Sequence, residues 1–65
     1  MKLRDFDFNS IDIFPITGLS VRQGDGEWYD KGCIGDTLKA LPPHFADAEI
    51  KETRWYFNTF VIELE

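Results

Sequence analysis

Thr53-Arg54-Trp55-Tyr56-Phe57-Asn58-Thr59-Phe60-Val61-Ile62-Glu63-Leu64 is the stretch on which the reading of this chain turns. Residues of two characters alternate on either side of Asn58-Thr59, the period-2 pattern of strands that each show one side to water. With Asn58-Thr59 as the tight turn, Phe57 faces Phe60, Trp55 faces Ile62 and Thr53 faces Leu64, which builds one apolar face. The other face pairs Tyr56 with Val61 and Arg54 with Glu63, and brings Glu52 towards Glu65. A solvent-facing pair such as Arg54–Glu63 adds little stability. Asn-Thr is a weaker hairpin turn than Asn-Gly, so a slipped register or a longer Trp55–Asn58 loop also fits these residues.

A second block, Leu19–Gly32, carries the same kind of signal. Leu19-Ser20-Val21-Arg22-Gln23 is followed by Gly24-Asp25-Gly26 and then by Glu27-Trp28-Tyr29-Asp30-Lys31-Gly32, a strand–turn–strand sequence with its turn glycines in place. A three-residue loop sets Gln23 against Glu27, Arg22 against Trp28, Val21 against Tyr29 and Leu19 against Lys31. Alternation then puts Leu19, Val21 and Tyr29 on the core side, and Ser20, Arg22, Trp28 and Asp30 on the other. A cross-strand Arg22–Trp28 pair makes a cation–π contact worth about 0.5–1 kcal/mol when exposed. Between the blocks, Asp36 is a good N-cap for a short helix over Thr37–Leu41, with Leu38 and Leu41 one turn apart and Pro42-Pro43 as the stop. His44–Asp47 links on to the second block, with Phe45 as an anchor under the sheet. Residues 1–18 fit neither period: Phe6/Phe8 and Ile11/Ile13 alternate as a strand would, whereas Leu3, Phe6 and Ser10 favour a short helix.

Length and composition bound the rest. Sixty-five residues are read as one small domain, 1–65, near the lower limit for folding without staples. Hydrophobic content of 43% with 15% aromatic residues supplies a core and argues against disorder. No apolar run approaches the ~20 residues that span a bilayer, and acidic residues stand near Met1 where a secretory signal would be apolar, so the expectation is a cytoplasmic protein with no membrane association. The charge of −5 argues against sequence-independent binding to nucleic acid, which depends on neutralising phosphates. It suits a partner with a basic groove, although plain solubility explains most acidic small domains.

The residues offer little for catalysis. Cys33 and His44 are the sole cysteine and histidine, so there is neither an internal disulfide nor a Cys/His metal cluster. Cys33 is read as a small filler beside glycines, and His44 as an exposed loop residue. Gly24-Asp25-Gly26 lacks the helix and lysine of a phosphate loop, and Asp25, Glu27 and Asp30 match no calcium loop. Asp5, Asp7 and Asp12 form a further acidic group that a solvated face explains. The expectation is no catalytic residue, no cofactor and no metal. The outward aromatics Trp28 and Tyr56, with Arg22 and Arg54, fit an interface, burial against the N-terminal segment, or a stacking platform for single-stranded nucleic acid, in that order.

Met1–Phe6, Val21-Arg22, Asp25-Gly26-Glu27, Ile34-Gly35-Asp36, Leu38–Pro42 and Phe60–Leu64 together resemble the small proteins encoded by phages and integrative elements of Firmicutes. The resemblance covers most of the chain through generic hairpin and cap signals, and departs at Phe8–Thr17 and at Trp55-Tyr56-Phe57. It implies a mobile-element accessory protein, among which are acidic inhibitors of host defence nucleases of the anti-CRISPR kind.

These readings converge on an α+β fold: a small antiparallel sheet of four to five strands, built from two β-hairpins, with one short helix. The expected function is a non-catalytic interaction module working by protein–protein contact, with a homodimer as one arrangement and single-stranded nucleic-acid binding as the alternative. The residues assigned to partner contact are Arg22, Trp28, Asp30, Arg54, Tyr56 and Glu63 on the sheet, and Asp5, Asp7 and Asp12 near the start.

Overall fold

A computed structural model describes residues 1–65: strand β1 (Gly18–Gln23), helix α1 (Ile34–Ala40) and strands β2 (Ile50–Tyr56) and β3 (Thr59–Leu64), with 3-10 turns at Leu3–Asp5, Phe8–Ile11 and Pro43–Asp47. The fold is α+β with one helix, as expected, but the sheet has three strands in the order β1-β3-β2. It is mixed: β3 pairs antiparallel with β2 and parallel with β1. The last strand therefore inserts between the other two. Its composition explains this, because Phe60, Val61, Ile62 and Leu64 are apolar on both faces and all four are buried. Lys51, Glu52, Thr53 and Arg54 of β2 are all exposed, as an edge requires.

Only one of the two expected hairpins is a pair of strands. The first closes its turn as read, with Gly26 N–H donating to Gln23 O at 3.0 Å and Gly24 at φ 55°. Val21 and Tyr29 then exchange both backbone bonds, at 3.0 and 2.8 Å, in the expected register. No ladder follows. Asp30 Oδ1 accepts from Gly32 N–H at 2.9 Å, and Thr37 Oγ1 accepts from Lys31 N–H at 2.9 Å. These side chains take up the donors that a second strand would need. The chain returns to β1 one residue out of step, with Gly18 opposite Cys33 rather than Leu19 opposite Lys31. A Cβ on Gly18 would lie 2.7 Å from Thr59 Oγ1 and 3.1 Å from the Gly32 carbonyl oxygen, so three segments converge on its bare α-carbon.

The β2–β3 hairpin forms in a register two residues away from the expected one. Tyr56 opposes Thr59, Trp55 opposes Phe60 and Thr53 opposes Ile62, so Phe57-Asn58 is the turn. A two-residue hairpin needs a positive φ in the loop, which β-branched Thr59 resists, and Phe57 takes it at φ 55°. A slip of two preserves which face each strand residue occupies. It moves Phe57 out of the core, to 82% exposed, and leaves Trp55 at 41%.

Leu19, Val21, Phe60, Ile62 and Leu64 are buried as anticipated, joined by Leu3, Ile11 and Phe45 from the layer packed on the sheet. Tyr29 is half-buried, its ring edge-on to Phe45 at 5.3 Å. Residues 1–18 settle as two 3-10 turns rather than as a strand or an α-helix. Helix α1 begins at Ile34, earlier than expected, with Cys33 at the N-cap position and Asp36 in the first turn. There the Asp36 carboxylate complements the positive end of the helix. Helical and turn segments thus cover one face of the sheet and leave the other open.

Candidate interaction surface

The open face carries Ser20 and Arg22 of β1, Val61 and Glu63 of β3, and Arg54 and Tyr56 of β2. Their placement follows from strand alternation and the two registers. Glu63 sits at its centre. One carboxylate oxygen accepts from Arg22 at 2.7 Å and the other from Arg54 at 2.6 Å. Arg22 lies beside Glu63 across the parallel pair, whereas Arg54 reaches it diagonally, because Arg54 directly opposes Val61. Trp28 lies over Arg22, with the guanidinium carbon 4.5 Å from the ring centre. Asp30 accepts from the Ser20 hydroxyl. All six sheet-associated residues assigned to partner contact therefore share one face. Ser20, Trp28, Arg54, Tyr56 and Val61 line a shallow depression of about 160 Å³ on it. Val61, expected outside, is 7% exposed because these larger side chains close over the central strand.

Asp5, Asp7 and Asp12 lie elsewhere, on the N-terminal segment whose Leu3 and Ile11 pack on the opposite side of the sheet. They form no metal-competent cluster. The Asp7 carboxylate instead caps the second 3-10 turn, accepting from Asn9 N–H at 3.0 Å. An apolar groove of about 240 Å³ lies on that side, lined by Leu3, Phe6, Phe8, Leu38, Leu41 and Phe45 among others. Its charged neighbour Arg4 is paired with Asp47, so what the groove offers is apolar contact. No helix is long and apolar enough to cross a membrane.

The charge pattern of the open face has a pH signature. Hydrogen bonds from Arg22 and then Arg54 hold the Glu63 carboxyl below its ordinary value of 4.5, and the Glu63 bond in turn raises Arg54. A carboxylate lowered by folding contributes stability that is fully present above 4.5 and disappears as pH falls through the lowered value. Glu63→Gln should therefore flatten part of the acid limb of a thermal-midpoint titration between about pH 6 and pH 2. A Glu63 carboxyl carbon that titrates at or above 4.5 by NMR would contradict the geometry.

A second surface escaped the sequence reading. Ile13, Phe14, Ile16, Trp55, Tyr56 and Phe57 are all exposed, and all but Ile13 are placed at the β2–β3 turn by their contacts. The Phe14 and Trp55 rings meet edge to face at 5.6 Å, and Tyr56 and Phe57 at 4.7 Å. Asn58 ties the loop before β1 to this tip, its side-chain amide donating to Ile16 O at 2.8 Å and its carbonyl accepting from Gly18 N–H at 2.9 Å. One signal was available: three consecutive aromatics, Trp55-Tyr56-Phe57, cannot all face one side of a strand.

Comparison of the chain with protein-family models, with curated proteins and with solved structures finds no match in any of the three.

Proposed function

We propose that this chain is a non-catalytic interaction module, a mobile-element accessory protein that works by binding another protein. The observation that carries this reading is Phe57, a large aromatic residue 82% exposed at the hairpin tip and held at φ 55°. Aromatic residues resist this backbone region, at a cost of about 1 kcal/mol or more. Phe57 recovers little of that by burial, so its presence is better explained by a contact outside the chain. Phe14, Ile16 and Trp55 supply apolar area at the same turn, and aromatic anchors of this kind dominate protein interfaces. The partner class that fits the surroundings is basic. The chain carries twelve acidic against seven basic residues, Arg4, Arg22 and Arg54 are all held in ion pairs, and Asp12 beside Ile13 and Phe14 forms none. A defence nuclease with a nucleic-acid groove is one protein of that class. The alternative, single-stranded nucleic-acid binding through Trp28 and Tyr56, draws less support because Glu63 and Glu52 together already neutralise the adjacent Arg22 and Arg54.

Phe57→Gly separates this role from a structural one. Glycine relieves the positive φ, so the variant should melt several degrees higher, by about 4–8 °C per kcal/mol gained. It should also lose partner binding. A photoreactive benzoylphenylalanine at position 57, introduced in cells of the encoding species, should yield one adduct with a different protein. The same group at Glu27 should not. No adduct at position 57, an adduct with a second copy of the chain only, or the same adducts at both positions would overturn the reading.

A further inference from the structure

We propose that the free edge of β2 joins two copies of this chain, β2 against β2, in an antiparallel pair centred on Thr53. This stands on the backbone edge and the charge order of β2, independently of the partner contact assigned to Phe57. The far edge of β1 is partly closed by its backbone bonds to Tyr29 and Gly32. The slot beside the start of β2 is also filled, since Leu3 N–H donates to Ala48 O at 3.0 Å and Ile50 N–H to Met1 O at 2.8 Å. Beyond it, Lys51–Tyr56 is exposed throughout and its outer edge has no partner strand.

Charged residues on an edge strand commonly keep other strands away. Their order here does the opposite. In an antiparallel pair, opposed residues must turn their backbone groups the same way, so a two-fold pairing is centred on a residue. Centring on Glu52 or Arg54 sets like charges against each other. Centring on Thr53 sets Glu52 opposite Arg54 of the second copy, twice over, and Lys51 opposite Trp55. The open face already carries a row of alternating charge, Arg22 on β1, Glu63 on β3 and Arg54 on β2, in which Arg54 also pairs with Glu52 of its own copy at 3.2 Å. Glu52 of the second copy continues the row. Met1 and Lys2, paired beside Glu49 and Ile50, limit the pairing to about Lys51–Trp55. A strip this short buries less than the ~1,200 Å² of stable complexes, and exchange with monomer is expected on the order of 0.1 mM.

Sedimentation equilibrium of the whole chain between about 10 µM and 1 mM should show the mass rising from 7.6 kDa towards twice that value. Glu52→Arg and Arg54→Glu should each weaken self-association about 10-fold or more by opposing like charges, and an equimolar mixture of the two should recover it as a heterodimer. A cysteine test keeps the proposal falsifiable if either variant folds poorly. In a Cys33→Ser background, Thr53→Cys should oxidise to a covalent dimer, because the two-fold pair sets its Cα atoms about 5.5 Å apart, inside the disulfide range, whereas Glu52→Cys should not. A mass fixed at 7.6 kDa across the range, or equal crosslinking at both positions, would overturn the proposal.

Discussion

Ile62→Ala is expected to leave the chain largely unfolded at 25 °C. Ile62 is fully buried on β3, with Val21 beside it on one flank and Thr53 on the other. Truncating a buried Ile to Ala costs about 2–5 kcal/mol, most where the surroundings cannot collapse. A central strand held on both sides cannot move into the space. A domain of this size has about 3–5 kcal/mol in total, so the loss matches the whole stability. Circular dichroism melts should show the midpoint falling by about 15–25 °C or the transition vanishing. Val61→Ala provides the contrast, because Val61 is covered only by the side chains of the open face and should lose about 1 kcal/mol. Equal losses at positions 61 and 62 would mean that the core lies elsewhere.

The same strand shows why part of the fold was legible and part was not. Alternation assigned Leu19, Val21, Phe60, Ile62 and Leu64 to one side, and these five are in the core. Sequence patterning reports a face, and a face survives a two-residue slip. It does not report which strands are neighbours. Pairing each strand with its nearest neighbour in sequence gave two antiparallel hairpins, whereas β3 pairs in parallel with β1 from more than thirty residues away. The signal for a central strand lay in the uninterrupted Phe60-Val61-Ile62, against the charged Lys51-Glu52-Thr53-Arg54 of an edge. The second arm of the first hairpin was lost to Asp30 and Thr37, whose side chains compete for backbone donors.

The candidate surface divides along the same line. Arg22, Trp28, Asp30, Arg54, Tyr56 and Glu63 could be grouped because each depends on strand parity, and parity was right. Asp5, Asp7 and Asp12 could not be joined to them, since their position depends on how an irregular segment packs across the sheet. Trp55 and Phe57 read as core in the sequence because apolar residues at strand parity ordinarily are. Turn chemistry decided otherwise for Phe57. Where β-branched Thr59 resists a positive φ, the turn takes the residue before Asn58.

Thr37→Val should destabilise the protein by about 2–3 kcal/mol although it changes neither size nor shape. Thr37 is fully buried, and its hydroxyl is the only side-chain group that ties helix, strand and returning arm together. It donates to Leu19 O at 3.1 Å and accepts from Lys31 N–H at 2.9 Å. Valine fills the volume and strands both backbone groups away from other partners, and each orphaned group costs about 1–3 kcal/mol. Thr37→Ser keeps the hydroxyl and loses one methyl, so it should cost about 1 kcal/mol. Amide exchange gives a local readout: Lys31 should exchange about 100-fold faster in Thr37→Val, the equivalent of ~2.7 kcal/mol, and close to the wild-type rate in Thr37→Ser. The effect reaches the open face, because the segment held by Thr37 carries Trp28 and Asp30. Loosening it should release Trp28 from Arg22 and shift the tryptophan emission to the red. If Thr37→Val and Thr37→Ser exchange alike at Lys31, packing rather than the hydroxyl holds the arm, and the placement of Trp28 over Arg22 does not depend on Thr37.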